Sequence, residues 1–198
     1  VQARSHTATG IIGSLFHAQD GDLTRVTGIG STNGLENVTL VSDGGSIGAV
    51  KGLSQVQGHG ITNSRFNAND GNIALVEGRG GVAGGHGILA TYLQALDLLG
   101  TIRASSNANN GDAMREVTAH AGLFGDLRAL VRGGEGGQPA ESLASGIVDS
   151  SFTAYTRPVT DVPLESQAPG LDKIDVDVRS VNGEGIVNST FSLRRGFN

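Results

Sequence analysis

The chain has 198 residues and a net charge of −5 at pH 7, and 32 of its residues are glycine. Aromatic residues make up only 4 %, whereas hydrophobic residues make up 37 %. The glycines follow no Gly-X-Y period, so this composition excludes a collagen-like or disordered chain and is typical of many short strands joined by tight turns.

The charge and the missing residue types also narrow the function classes. An acidic balance without a basic run argues against a nucleic acid or an anionic membrane as partner. The absence of cysteine excludes disulfides, thiolate metal sites and cysteine nucleophiles. No apolar run of about 18 residues occurs, so we expect no membrane-spanning helix.

An internal repeat begins near the N-terminus, where Gly10 opens the segment Gly-Ile-Ile-Gly-Ser-Leu-Phe-His-Ala. Three later segments follow the same pattern, Gly-Ile-x-x-Ser-x-Phe-x-Ala, and three weaker copies fill the gaps between them. The seven repeat starts are Gly10, Gly34, Gly60, Gly87, Gly111, Gly146 and Gly185. The fifth start is the weakest, because Asp112 stands where the other copies have Ile or Leu.

The sixth position after each start tests whether these copies share one register. This position always holds a large apolar residue, and four of the six phenylalanines of the chain fall in it. The predicted core stack is Phe16, Leu40, Phe66, Leu93, Val117, Phe152 and Phe191. A second strand follows in each unit, with the pattern Asp/Asn-Gly-x-Ile-x-x-Val, and a glycine-rich stretch closes the unit.

Alternation of apolar and polar residues with period two predicts strands with one buried face. A unit of about 24 residues is too short to bury that face alone, so the units must stack on one another. We therefore predict an all-β, single-domain fold over residues 1–198, a right-handed parallel β-helix of about seven irregular coils. Right-handedness rests on analogy with known β-helices that have coils of this length, and glycines are expected at corners that need positive φ.

Two features depart from this regular pattern. All four prolines lie in the two longest intervals between repeat starts. Because proline has no N–H to donate in a central strand, we expect loop insertions at about 133–145 and 155–169. The stretch from Ile88 to Ile102 could also form a helix, because its apolar residues share one face at helical spacing. The apolar residue at the sixth position after Gly87 instead indicates a degenerate coil of the repeat.

The repeat pattern and the second-strand pattern resemble the β-helical repeats of very large bacterial surface and secreted proteins. The resemblance covers roughly 150 of the 198 residues. It implies an extracellular or cell-surface location and a role as an adhesin, a matrix fibre or a cell-surface layer.

Acidic residues recur at the first turn of successive units. Stacked carboxylates from Asp20, Asp22, Asp43 and Asp70 form a weak candidate for a structural Ca²⁺ site, although turns in which these side chains bond their own backbone are the stronger interpretation. His59 and His86 both precede a repeat start, but Asn33, Asn110 and Ser145 occupy the same place elsewhere, which leaves a metal site without a third ligand.

A partner-contact set is predicted in the second insertion, where loops on a rigid scaffold commonly carry function. Its residues are Tyr155, Arg157, Asp161 and Glu165. A passive lateral flap is the alternative interpretation of this loop.

A structural, non-enzymatic rod or filament segment is the favoured function, with coils stacking end to end. Both ends of the chain fall at nearly the same point of the coil, so we expect either a segment of a longer rod or subunits that stack head to tail, and either way strand edges are left for pairing. A glycan-binding adhesin segment is the first alternative. The second is a polysaccharide lyase or hydrolase of pectate-lyase-like fold, with Asp20, Asp43 and Asp70 as a carboxylate row near Arg25 or Arg65.

Overall fold

The computed structural model describes residues 1–107, 111–131, 144–156, 175–180 and 184–195. Throughout these residues the chain forms strands and turns and no helix. The helical interpretation of Ile88 to Ile102 is therefore wrong, since this stretch contains a two-residue strand, a corner at Ala90 and most of a long strand that begins at Tyr92. Both predicted insertions fall almost entirely outside the described residues.

The strands, numbered β1 to β20 in chain order, stack in three parallel ladders. The short ladder contains β2 (Ile11–Ile12), β5 (Leu35–Glu36), β8 (Ile61–Thr62), β11 (Ile88–Leu89), β13 (Met114–Arg115), β16 (Ile147–Val148) and β19 (Ile186–Val187). The phenylalanine ladder contains β3 (Leu15–Ala18), β6 (Thr39–Ser42), β9 (Arg65–Ala68), the first part of β12 (Tyr92–Ser106), β14 (Thr118–Phe124), β17 (Ser151–Thr156) and β20 (Thr190–Arg195). The long ladder contains β1 (Gln2–Arg4), β4 (Leu23–Gly30), β7 (Ile47–Ser54), β10 (Ile73–Arg79), the second part of β12, β15 (Asp126–Val131) and β18 (Asp175–Arg179).

Each coil contributes one segment to each ladder, and every named strand pairs in parallel with its equivalents in neighbouring coils, so the chain is a parallel β-solenoid. About five complete turns lie in the described residues, fewer than the seven expected. The short ladder nevertheless has seven strands, one for each repeat. Right-handedness stays a prediction.

The predicted core stack is confirmed at six of its seven positions. Phe16 pairs with Leu40, which pairs with Phe66 and so on to Leu93, and at the other end Phe152 pairs with Phe191. The rings of these last two residues are stacked, with centroids 5.2 Å apart and an interplanar angle of 9°. Like residues therefore lie directly above like, as the repeat predicts.

Val117 is the exception, and its place in the predicted stack is wrong. Ala119 pairs with Leu93 on one side and with Phe152 on the other. The fifth repeat begins at Ala113 rather than at Gly111, since Met114 pairs with Ile88. A shift of two residues keeps the same side chains on the inside of a strand, so Val117 is buried in either register and period two cannot reveal the error.

The small side chain of Ala119 is offset by a neighbour from its own strand. Phe124 lies at the end of β14 and packs edge-on against Phe152, with ring centroids 6.4 Å apart at 80°. The aromatic volume missing from the column is thus supplied from another part of the same coil.

The glycine-rich stretches serve close packing between backbones. Gly28, Gly52 and Gly78 pair in one column of the long ladder, and the column continues as Ala104 and Ala129. A Cβ atom built on Gly52 would lie 2.1 Å from the carbonyl oxygen of Gly60, so only glycine fits there.

The expectation that glycines provide the positive-φ corners is mostly wrong. The corner between the short and phenylalanine ladders has positive φ in every repeat, yet glycine fills it only in the first. The corner residues are Gly13, Asn37, Asn63, Ala90, Glu116, Asp149 and Asn188. Asparagine and aspartate dominate because they tolerate the left-handed region better than other residues with a Cβ.

Candidate functional site

A polar column runs along the corner that precedes each repeat start. It contains Asn33, His59, His86, Asp112 and Ser145. Each side chain accepts a hydrogen bond from the backbone N–H of the next member, at distances of 2.7, 3.0, 2.9 and 2.7 Å. The column therefore satisfies backbone donors at a corner where the strands end.

Two histidines form the centre of this column, and both use Nδ1 as the acceptor. Their partners are the backbone N–H groups of His86 and Asp112. Burial lowers the pKa of both His59 and His86, and the charge of Asp112 opposes that effect at His86. Both imidazoles are thus held in their neutral form, with the proton on Nε2.

The predicted place of Asn110 in this column is wrong, for the same reason as that of Val117 in the core stack. The corrected register replaces Asn110 by Asp112, whose Oδ2 lies 2.7 Å from Nε of Arg115 and 3.5 Å from Nδ1 of His86. Although an acidic residue now follows the two histidines, the described residues contain no group of three or more side chains placed to hold a metal ion. The arrangement is a hydrogen-bonded column.

The four calcium candidates do not stack on one another. Asp43 lies between Gln19 and Asn69, while Gly44 separates Asp20 from Asp70. Asp43 instead bonds Nε2 of His17 at 2.6 Å and the amide of Asn69 at 2.8 Å. These two hydrogen bonds, that of His17 first, lower the pKa of the Asp43 carboxyl.

Asp22 belongs to a second polar column, in which its Oδ1 accepts the backbone N–H of Ser46 at 2.7 Å. The column continues because Ser46 and Asn72 each accept a backbone N–H from the next coil. The carboxylates are therefore not stacked in adjacent coils, since Ser46 and Asn72 follow Asp22 in its column.

An open cleft of about 440 Å³ lies on the outer face of the long ladder. Its charged lining residues are Glu77, Arg103, Arg128, Asp177 and Arg179. A second depression of about 290 Å³ shares Arg128 and Asp177 with it and continues towards the beginning of β15 and β18, and the two together form the groove. The sequence pattern gave no signal for this site, because its residues are scattered over four repeats.

Inside the cleft, Glu77, Arg103, Arg128 and Asp177 occupy one column in successive coils. Glu77 is paired with Lys51 at 2.6 Å. Arg128 and Arg179 each pair with an acid of their own strand, Arg128 with Asp126 at 2.8 Å and Arg179 with Asp177 at 3.3 Å. The side chain of Arg103 has no hydrogen-bond or ion-pair partner in the described part of the chain.

Of the predicted partner loop, only Tyr155 lies in the described residues; Arg157, Asp161 and Glu165 lie outside them. Tyr155 is the penultimate residue of β17, and it is 42 % exposed. Its ring is 6.0 Å from that of His120, which is 5.7 Å from Tyr92, and the guanidinium of Arg65 lies 4.9 Å above Tyr92. The two tyrosines of the chain therefore share an outer row, and Arg65 belongs to this row.

The two terminal coils expose residues that are buried elsewhere in their columns. Ile186 and Leu193 in the last coil are 45 % and 51 % exposed, whereas their partners Ile147 and Ala154 are 0 % and 3 % exposed. Phe16 and Phe191 likewise pack on the core from one side only. Within the described residues, both ends of the solenoid are thus open cross-sections of the core.

No protein family model, curated protein or solved structure matches the chain. Among its described residues, the chain also forms no helix with the length and hydropathy of a membrane span. The geometry itself defines the chain as a parallel β-solenoid repeat protein with open ends and an arginine-lined groove.

Proposed function

We propose that the chain is a structural module of an extracellular rod or filament, and that it assembles end to end by coil stacking. The observation that carries the proposal is the match between its two open ends. Phe16 in the first coil and Phe191 in the last occupy the same column of the same repeat. Catalysis is no part of this role.

A second copy stacked head to tail would continue the apolar columns without a change of register. Phe16 of one copy would meet Phe191 of the next in the geometry by which Phe191 already lies on Phe152. Ile11 and Ile186 are equivalent in the short ladder, so they would meet in the same way. Burial of these partly exposed side chains would stabilise the junction.

The polar columns would also continue across the junction. The backbone N–H of Val117 donates to Oγ of Ser150 at 3.0 Å, and the N–H of Ser150 donates to Oγ of Ser189 at 3.2 Å. Ser14 begins this column in the first coil, and its Oγ donates to the carbonyl of Ile12. It would accept the N–H of Ser189 from the preceding copy.

Two different ends that fit each other form a heterologous interface, which generates an open filament when the rotation does not close a ring. Exposed strand edges favour such pairing unless charge or proline blocks them. The first-coil strands β2 and β3 carry neither lysine nor proline, and Ile12 and Leu15 are 58 % and 67 % exposed beside the edge.

The test is electron microscopy and analytical ultracentrifugation of the purified chain over a range of concentrations. We expect filaments whose axial repeat is a whole number of coil spacings of about 4.8 Å. Ala18→Glu should abolish them, because Ala18 faces inward at the open end and would meet Leu193 of the neighbouring copy, so a charge there would be buried.

Thr24→Glu is the matched control, because Thr24 lies exposed on the outer face of the same coil. It adds the same charge away from the junction and should leave the filaments intact. Circular dichroism of both variants in dilute solution confirms that the fold survives. A wild-type chain that stays monomeric at all concentrations would contradict the proposal, as would filaments that tolerate Ala18→Glu.

A further inference from the structure

The groove on the long ladder contains an arrangement that costs stability within the chain itself. Arg103 and Arg128 are directly paired in adjacent strands, with both side chains on the outer face. Like charges placed opposite each other in neighbouring strands destabilise a sheet. Asp126 compensates part of the charge of Arg128 through their ion pair, whereas Glu77, the neighbour of Arg103 in the column, is engaged by Lys51, so the side chain of Arg103 stays without a partner.

We propose that this groove binds an acidic polysaccharide whose sugar units carry carboxylates, with one carboxylate bridging Arg103 and Arg128. A guanidinium presents several N–H donors in a plane and binds a carboxylate through two parallel hydrogen bonds. A bridging carboxylate would neutralise the repulsion between the two arginines and give Arg103 the partner that it lacks.

The shape of the groove favours a chain-like ligand over a small anion. The cleft crosses four coils of the ladder, and Arg179 lies one coil beyond Arg128 and two residues along the strand. Arg103 and Arg128 are thus separated by one coil spacing of about 4.8 Å, which is close to the length of one sugar unit in an extended polysaccharide, and Arg179 provides a third cation further along the cleft.

The acidic residues of the groove favour a sugar polymer over a nucleic acid. Glu77 and Asp177 line the same space, and each carboxylate can accept hydrogen bonds from sugar hydroxyls. These carboxylates and the net charge of −5 repel any polyanion, and they repel a phosphate backbone most, because each strand carries a charge about every 3.4 Å, more densely than one carboxylate in each sugar unit. A ligand with one charge and several hydroxyls in each unit fits both kinds of lining residue.

The experiment is isothermal titration calorimetry with oligogalacturonate, with neutral dextran oligomers and a DNA oligonucleotide as comparisons. We expect binding of oligogalacturonate alone, weakened by salt because part of the attraction is between exposed charges. Arg103→Gln should weaken binding about tenfold, the amount that corresponds to the loss of one charge-assisted contact.

Arg25→Gln is the matched control, because Arg25 is an exposed arginine on the same ladder but three coils away from Arg103. It makes the same change in net charge and should leave the affinity unchanged. Equal losses in the two variants, equal binding of dextran, a preference for DNA or the absence of oligogalacturonate binding would each overturn the proposal. The groove lies within one chain, so this outcome is independent of whether filaments form.

Discussion

The imidazole ring of His86 lies flat against that of His59, with centroids 5.2 Å apart and planes inclined by 10°. The same two residues are joined by a hydrogen bond from the backbone N–H of His86 to Nδ1 of His59. Stacking and hydrogen bonding thus follow from one fact: equivalent residues of successive coils lie directly above each other. The acceptor nitrogen must be unprotonated for the hydrogen bond to exist.

Acidification should therefore destabilise the fold through this pair. Burial lowers both folded-state pKa values below the ordinary histidine value of 6.5, so the unfolded chain takes up protons at a higher pH than the folded chain. The stabilisation is fully present above about pH 6.5 and is lost as the pH falls through the lowered folded-state pKa values. We expect the Tm to fall by a few degrees over this window, measured by circular dichroism.

Other charged residues act on the two histidines, and the carboxylates among them set the lowest pH at which the Tm profile reports on the histidines. Glu36 lies near His59, while Asp112, Arg115 and Glu116 act on His86. Scans kept above about pH 5 leave ordinary carboxylates ionised, so the histidines dominate the change.

Asparagine provides a control that the chain itself contains. Asn33 accepts the N–H of His59 through its side-chain oxygen at 2.7 Å, in the same column. Replacing both histidines, His59→Asn and His86→Asn, should keep the acceptors and flatten the Tm profile between pH 7 and 5. An unchanged slope in the double variant would show that other groups cause the acid sensitivity.

Gly52→Ala should be strongly destabilising. The added Cβ would lie 2.1 Å from the carbonyl oxygen of Gly60 and 2.6 Å from Cγ1 of Ile61, and the backbone contact cannot yield without moving a coil. We expect a loss of about 3 kcal/mol in the free energy of unfolding, at the upper end of the usual overpacking cost, from urea denaturation. Gly21→Ala is the control, because its Cβ would have no neighbour within 4 Å.

These glycines show which part of the fold could be predicted from the sequence and which part could not. Their recurrence correctly indicated a repeat, and the period-two strands that they separate indicated stacking. The sequence does not indicate why each of these positions requires glycine, because a contact such as that between Gly52 and Gly60 joins two ladders that only the closed coil brings together. The positive-φ corners, by contrast, lie at a constant offset from each repeat start, and asparagine or aspartate occupies four of the seven.

The corner at Ala90 has neither glycine nor a residue that tolerates the left-handed region well, and it gives a third prediction. Ala90 has φ of 45°, where Asn37 and Asn63 occupy the equivalent place in the two preceding repeats. A left-handed conformation costs alanine about 1–2 kcal/mol, so Ala90→Gly should stabilise the fold by about 0.5–1 kcal/mol. Asn63→Ala should lose a similar amount, and opposite signs for the two variants in urea denaturation are the outcome to look for.

The candidate sites were less predictable than the fold. The groove combines Glu77, Arg103, Arg128 and Asp177, which are 25 to 49 residues apart in sequence and share no motif. Only the exact register of β10, β12, β15 and β18 aligns them. The two-residue error in the predicted register of the fifth repeat also affected the polar column, in which Asn110 was predicted at the place that Asp112 occupies.

The phenylalanine column allows the register itself to be tested by mutation. Phe66 is fully buried between Leu40 and Leu93, so Phe66→Ala should cost about 3–5 kcal/mol through lost burial and a residual cavity. Phe66→Leu should cost only about 1–2 kcal/mol, because leucine already occupies the coils above and below.

Phe16→Ala is the comparison within the same column. Phe16 packs on the core from one side only in the isolated chain, so its removal should cost clearly less than that of Phe66 in dilute solution. At concentrations where filaments form, the Phe16 junction is buried and the cost of Phe16→Ala should rise towards that of Phe66→Ala. Equal and concentration-independent losses for the two variants would contradict both the open end and its stacking onto Phe191 of another copy.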